Sequence, residues 1–125
     1  MTKPRPVYLN LVRIRLPLPG IVSILHRVSG AALFLIGIPL ALWALEASLA
    51  SSAAYDNLVG AFAHPLAKLV LLALVWAYLH HLCAGIRFLL LDLHRGIELK
   101  PARQSSAVVI LAGIALTLIV GARLW

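Results

Sequence analysis

The sequence predicts an all-α membrane protein with three transmembrane helices, and three observations carry that reading. Hydrophobic residues make up 62% of the 125 positions and the mean hydropathy is +0.99, more apolar surface than a water-soluble domain of this length can bury. Positions 28–45, 69–86 and 104–122 contain no Asp, Glu, Lys or Arg, and each run approaches the roughly 20 residues that cross a bilayer. No run alternates with the period of two that a barrel strand requires, so helices must satisfy the backbone in lipid.

Residues 1–19 form a basic arm containing Pro4, Pro6, Pro17 and Pro19, which favour extended backbone ahead of a helix. The first transmembrane helix is expected over 20–49, with Pro39 removing one backbone donor and kinking it. Small and polar residues over 51–60 read as an outer loop. The second helix is expected over 62–93, followed by a basic loop containing Pro101, and the third over 105–124. The whole chain, 1–125, reads as one membrane-anchor domain. The first apolar stretch starts too late and runs too long for a secretory signal peptide.

Lys and Arg total 11 against 4 Asp and Glu, a net charge of +7. The basic residues lie at the ends of the spans instead of clustering on a soluble face, which excludes a nucleic-acid surface and carries topological information. Lys3, Arg5, Arg13, Arg15 and Arg27 precede or begin the first span, and Arg87, Arg95, Lys100 and Arg103 surround the second loop. Only Lys68 and Arg123 fall on the other side. This asymmetry puts the N-terminus and second loop in the cytoplasm and the C-terminus outside. Trp43 and Trp125, near the outer helix ends, read as interfacial anchors. The single cysteine, Cys83, lies within a span and offers no disulfide framework. Gly113, Thr117 and Gly121 make a small-residue stripe on the third helix, suited to close helix packing.

Ionisable groups at membrane depth are costly and mark candidate sites. One cluster is Ser23, His26 and Arg27; the other is His80 and His81, followed by Ala84, Gly85, Arg87 and Asp92. His81, Ala84, Gly85 and Phe88 share a helix face. That face either admits a flat macrocycle whose iron takes the His81 imidazole or forms a helix crossing around hydrogen-bonded histidines. His80 points roughly 100° away, so the small-residue face favours His81. At roughly 1.5 Å per residue, Ser23, His26 and Arg27 lie about 6, 10 and 12 Å inside the boundary, with Arg87 about 8 Å and His81 about 16 Å deep. Arg27 and Arg87 either snorkel to the headgroups or meet anionic or carbonyl partners. Asp92 reads as a boundary residue pairing with Arg95 or Arg87, and no role is assigned to His64 or His94.

Arg5-Pro6-Val7-Tyr8-Leu9, Ser23-Ile24-Leu25-His26-Arg27-Val28-Ser29-Gly30 and His81-Leu82-Cys83-Ala84-Gly85-Ile86-Arg87 with Asp92 together resemble the cytochrome b556 membrane-anchor subunits of succinate dehydrogenase, in order and spacing over nearly the whole chain. The resemblance implies a subunit of the bacterial inner membrane. It would pair with a second small anchor and hold a flavoprotein and an iron–sulfur subunit at the cytoplasmic face. In that family, electrons from succinate, an intermediate of the tricarboxylic acid cycle, pass to ubiquinone. By resemblance, His81 is the axial ligand of a b-type haem shared with the partner anchor, and Ser23 and Arg27 bind the quinone. His26 and Arg27 would contact the haem edge or its propionates. Phe88 departs from the histidine that some members place there. The chain would have no succinate chemistry of its own, and its sequence does not fix whether the complex oxidises succinate or reduces fumarate. Two other function classes stand beside this one: a structural scaffold whose histidines only pack, and a proton or metal carrier using His26, His80 and His81, against which the absence of an intramembrane carboxylate counts.

Overall fold

A computed structural model describes residues 14–124 and is all-helical there. Helix α1 spans Leu18–Ala32, a π-helical turn Leu33–Gly37, α2 Ile38–Ala50, α3 Ser52–Ala63, α4 Pro65–Asp92 and α5 Leu99–Leu124. Three continuous stretches, Leu18–Ala50, Pro65–Asp92 and Leu99–Leu124, are long and apolar enough to cross a membrane. The third starts earlier than the sequence suggested, because Pro101 sits in the opening turn of α5, where its missing N–H is tolerated. The Arg5–Leu9 motif, most of the basic arm and Trp125 lie outside the described residues.

Pro39 acts through the turn that precedes it. In an uninterrupted α-helix its ring would press on the carbonyl four residues back. Instead the Ile38 N–H reaches five residues back to the Leu33 carbonyl, and this π turn widens the helix where the proline enters.

The segment expected to be an outer loop is helical. Ser51, extended at φ −168°, caps α3 by accepting a bond from the Ala54 N–H, and Leu58 is buried beneath it. Ala54, Leu58 and Phe62 recur at helical spacing, a signal masked by the small and polar residues between them. The next turn is capped too: His64 Nδ1 accepts from the Leu66 N–H at 3.2 Å, ahead of Pro65 at the start of α4. At the far end of α4, the Arg95 N–H bonds the Leu90 carbonyl and the His94 N–H bonds the Leu91 carbonyl. His94 is left-handed at φ 58°, which makes this a Schellman ending.

Helix α4 lies at the centre, packed on α1 and on α5. Val22, Ala84 and Val109, one residue from each of these helices, form the buried apolar core. The stripe on α5 performs as its spacing suggests: Gly113, Thr117 and Gly121 are all buried. A Cβ on Gly113 would stand 3.4 Å from the His80 Cα, so the two backbones meet there. Only 6% of the most apolar window of the first span is buried within the chain, against 22% for α5, and the remaining apolar surface is suited to hydrocarbon or to another subunit.

Gly113→Leu is expected to separate α4 from α5 and to lower the thermal midpoint of the detergent-solubilised protein. Gly60→Ala, in α3 with nothing within 4 Å of the added methyl, should leave the midpoint unchanged or raise it, reflecting a stability gain of up to about 1 kcal/mol. Paired melting curves of the two variants check both expectations.

Candidate functional site

One polar cluster, built from His26 and Ser29 of α1 and His81 of α4, forms where the two helices cross. The rings of His26 and His81 stack with centroids 4.1 Å apart and planes 10° from parallel. His26 also meets Phe88, with ring centroids 5.0 Å apart and planes tilted by 55°. Between His81 and Phe88 lies Gly85, where an added Cβ would be 3.7 Å from His26 Nε2. The small-residue face of α4 therefore receives the His26 ring, while Ala84 is fully buried in the three-helix core. Ala84 and Gly85 thus allow α1 to approach α4 closely within this chain.

One hydrogen bond fixes the chemistry of His81. Its Nδ1 lies 2.9 Å from the main-chain carbonyl oxygen of His26. A carbonyl oxygen only accepts, so Nδ1 carries the proton, and in a neutral imidazole the lone pair is then on Nε2. Ser29 closes the group: its hydroxyl donates to the same carbonyl at 3.0 Å, and its Oγ is 3.2 Å from His81 Nδ1. Gly30 makes this approach possible, because a Cβ there would be 2.8 Å from His81 Cε1.

This donor set fits one axial position of a haem. Iron takes a neutral imidazole nitrogen whose partner N–H is held by a carbonyl or carboxylate, and His81 offers Nε2 with Nδ1 so held. Among the described residues no three His, Cys, Asp or Glu side chains gather as a bare-metal site.

His80 points elsewhere, as the helical angle indicated. It is 1% exposed, packs against Gly113 and stacks on Trp76 at 5.2 Å. Both of its ring nitrogens are buried without a hydrogen-bond partner. Ser23 and Arg27 stand one turn apart on α1, Ser23 half-buried and Arg27 exposed. The hydrogen-bonded group of Ser29, His26 and His81 includes neither of them.

Arg87 neither snorkels nor pairs with Asp92 in the bonds it makes. It is 6% exposed; Nε donates to Ser105 Oγ at 3.0 Å and a terminal nitrogen to the Ala102 carbonyl at 3.3 Å. The same carbonyl accepts from Ser105 and Ser106 hydroxyls. Arg87 thus ties α4 to the first turns of α5 across the intervening loop. Asp92 is exposed at the end of α4.

An apolar cavity of about 670 Å³ opens between the π turn, α2, α3 and α4. It is lined by residues such as Leu33, Gly37, Phe62 and Tyr78 and by none of the residues of the histidine pair.

Ser29 and Gly30 are the site residues that sequence reasoning did not single out. The available signal was their position in the His26–Gly30 run, with Ser29 three residues after His26, where a helical serine bonds backward to a carbonyl.

The family model described as succinate dehydrogenase/fumarate reductase transmembrane subunit matches residues 1–120. The succinate dehydrogenase cytochrome b556 subunit of Paracoccus denitrificans is 35% identical over 92% of this chain and 88% of its own length. That of Rickettsia felis is 34% identical over 92% of this chain and 89% of its own. The Coxiella burnetii subunit is 33% identical over the full length of both chains.

Arg87→Leu keeps the apolar stem but removes both bonds to α5. It is expected to destabilise the α4–α5 pairing by about 1–3 kcal/mol, seen as a lower thermal midpoint, whereas an unchanged midpoint would show that the latch contributes nothing.

Proposed function

Because the chain belongs to the succinate dehydrogenase/fumarate reductase transmembrane subunit family, we propose that it holds a b-type haem through His81 and contributes Ser23 and Arg27 to a ubiquinone site. It is a multi-pass subunit of the bacterial inner membrane and a membrane anchor of succinate dehydrogenase. The name of its relatives, cytochrome b556, denotes a b-type haem.

The observation that carries the reading is the bond from His81 Nδ1 to the His26 carbonyl, which leaves Nε2 for iron. A haem bound there supplies one-electron transfer. Among the described residues His81 is the imidazole so held on this face, and a second ligand to the iron would come from a partner anchor subunit. His26, stacked on His81, and Arg27, one residue further along α1, would be the residues of α1 to contact a haem held by His81. The charge asymmetry of the loops supports a cytoplasmic location for this end of the bundle, where a flavoprotein and an iron–sulfur subunit would dock and deliver electrons from succinate.

Arg27 and Ser23 serve the quinone. The exposed guanidinium and the hydroxyl one turn earlier donate hydrogen bonds to a carbonyl oxygen, whose negative charge grows as electrons arrive. At about 6–12 Å from the cytoplasmic boundary, the pair lies close enough for water to deliver the protons that quinone reduction takes up, while the headgroup remains reachable from lipid.

In the purified complex, His81→Ala is expected to abolish or severely perturb the b-type α band in the reduced-minus-oxidised spectrum, and His80→Ala to retain it. The reverse pattern would transfer the ligand to His80, and a band surviving both changes would leave only a scaffold. Arg27→Leu should slow succinate:quinone reduction by about tenfold or more, the loss of one hydrogen bond from a charged donor, while succinate oxidation by a soluble acceptor persists. Equal loss of both activities would indicate failed assembly.

A further inference from the structure

We propose that Ser29 is a positioning residue for the haem ligand, its hydroxyl setting how strongly the His26 carbonyl draws on the His81 Nδ1–H and thereby the reduction potential of the iron on Nε2. The inference rests on ligation by His81 and goes beyond it by naming the residue that tunes the ligand.

Ser29 is buried at 3% exposure. Its hydroxyl makes the backward bond common to serines in helices, but the oxygen it reaches, that of His26 at 3.0 Å, is the one that receives His81 Nδ1–H at 2.9 Å. Two donors on one carbonyl share its acceptor strength. The Ser29 oxygen, 3.2 Å from Nδ1, is the longer and weaker of the two acceptors near that proton. Removing the hydroxyl leaves the carbonyl free of the competing donor, and Nδ1–H then donates more strongly. A more strongly held Nδ1–H gives the imidazole more anionic character, raises its basicity toward iron and favours the ferric state. Gly30 holds the ring against this group by leaving no Cβ in its way.

The test uses the intact complex carrying wild-type Ser29, Ser29→Ala or Ser29→Thr, with haem content measured as the pyridine haemochrome and the potential by redox titration of the α band. Ser29→Ala is expected to keep haem and shift its midpoint downward, so that the ferrous-to-ferric ratio at the wild-type midpoint falls by about threefold, the scale of one modest hydrogen bond. Ser29→Thr, which retains a hydroxyl, should return the midpoint toward wild type; haem lost in Ser29→Ala and recovered in Ser29→Thr would equally support the role. An unchanged or raised midpoint in Ser29→Ala, equal shifts in the two variants, or loss of haem from both would overturn it. Failure of the underlying reading looks different: the wild-type complex would lack the b-type band, or His81→Ala would keep it.

Discussion

The bond between the His81 Nδ1 and the His26 main-chain oxygen is the constraint from which the rest of the site follows. It joins two antiparallel membrane helices through a titratable ring and a peptide group. In a medium that supplies no water, each polar atom of the ring must be assigned a partner. With Nδ1 committed, the remaining nitrogen is a lone-pair donor by default. A histidine with both nitrogens free to choose would offer no such certainty, and the buried, unpartnered His80 beside it shows the contrast.

Bringing the two helices that close required residues without bulk. Gly30 admits the His81 ring, Gly85 admits the His26 ring, and Gly113 lets α5 approach the His80 backbone. Arg87 then closes the end of the bundle beside the α4–α5 loop by bonding Ser105 and the Ala102 carbonyl. Since lipid tails are as apolar as Leu, these close approaches and interhelical hydrogen bonds do the work that a hydrophobic core performs in water. The apolar surface left over, greatest on the first span, suits a chain that works beside another membrane subunit.

Three spans were legible because a charge-free run of about 18 residues or more matches the thickness of a bilayer and exceeds what a buried core helix needs. The divergence of His80 from His81 and the packing role of Gly113, Thr117 and Gly121 followed from helical geometry alone. Helix α3 was hidden because Ser, Ala, Asp and Asn read as loop residues, although Ser51 and Leu58 carried a cap and a buried position. Arg87 was ambiguous for a different reason: its partners lie beyond a loop, and side-chain depth on one helix says nothing about what a neighbouring helix offers. The small face of α4 suggested space for a macrocycle or for a crossing, and that His26 packs over Gly85 could be seen only in the tertiary fold. A carbonyl partner for His81 could not be read at all, since every residue has a carbonyl and only the tertiary fold selects one.

In the proposed assignment, Ser23 and Arg27 would serve the quinone while His26 and Ser29 hold the His81 ring offered to iron, so that both sites would share one helical segment. The most direct test is a cryo-electron microscopy map of the complete complex, detailed enough to resolve the histidine rings. Continuous density from iron to His81 Nε2, with Nδ1 at hydrogen-bonding distance from the His26 carbonyl oxygen, is the result this account predicts. Iron held by another residue of this chain, or His81 turned so that Nε2 faces that carbonyl, would contradict it.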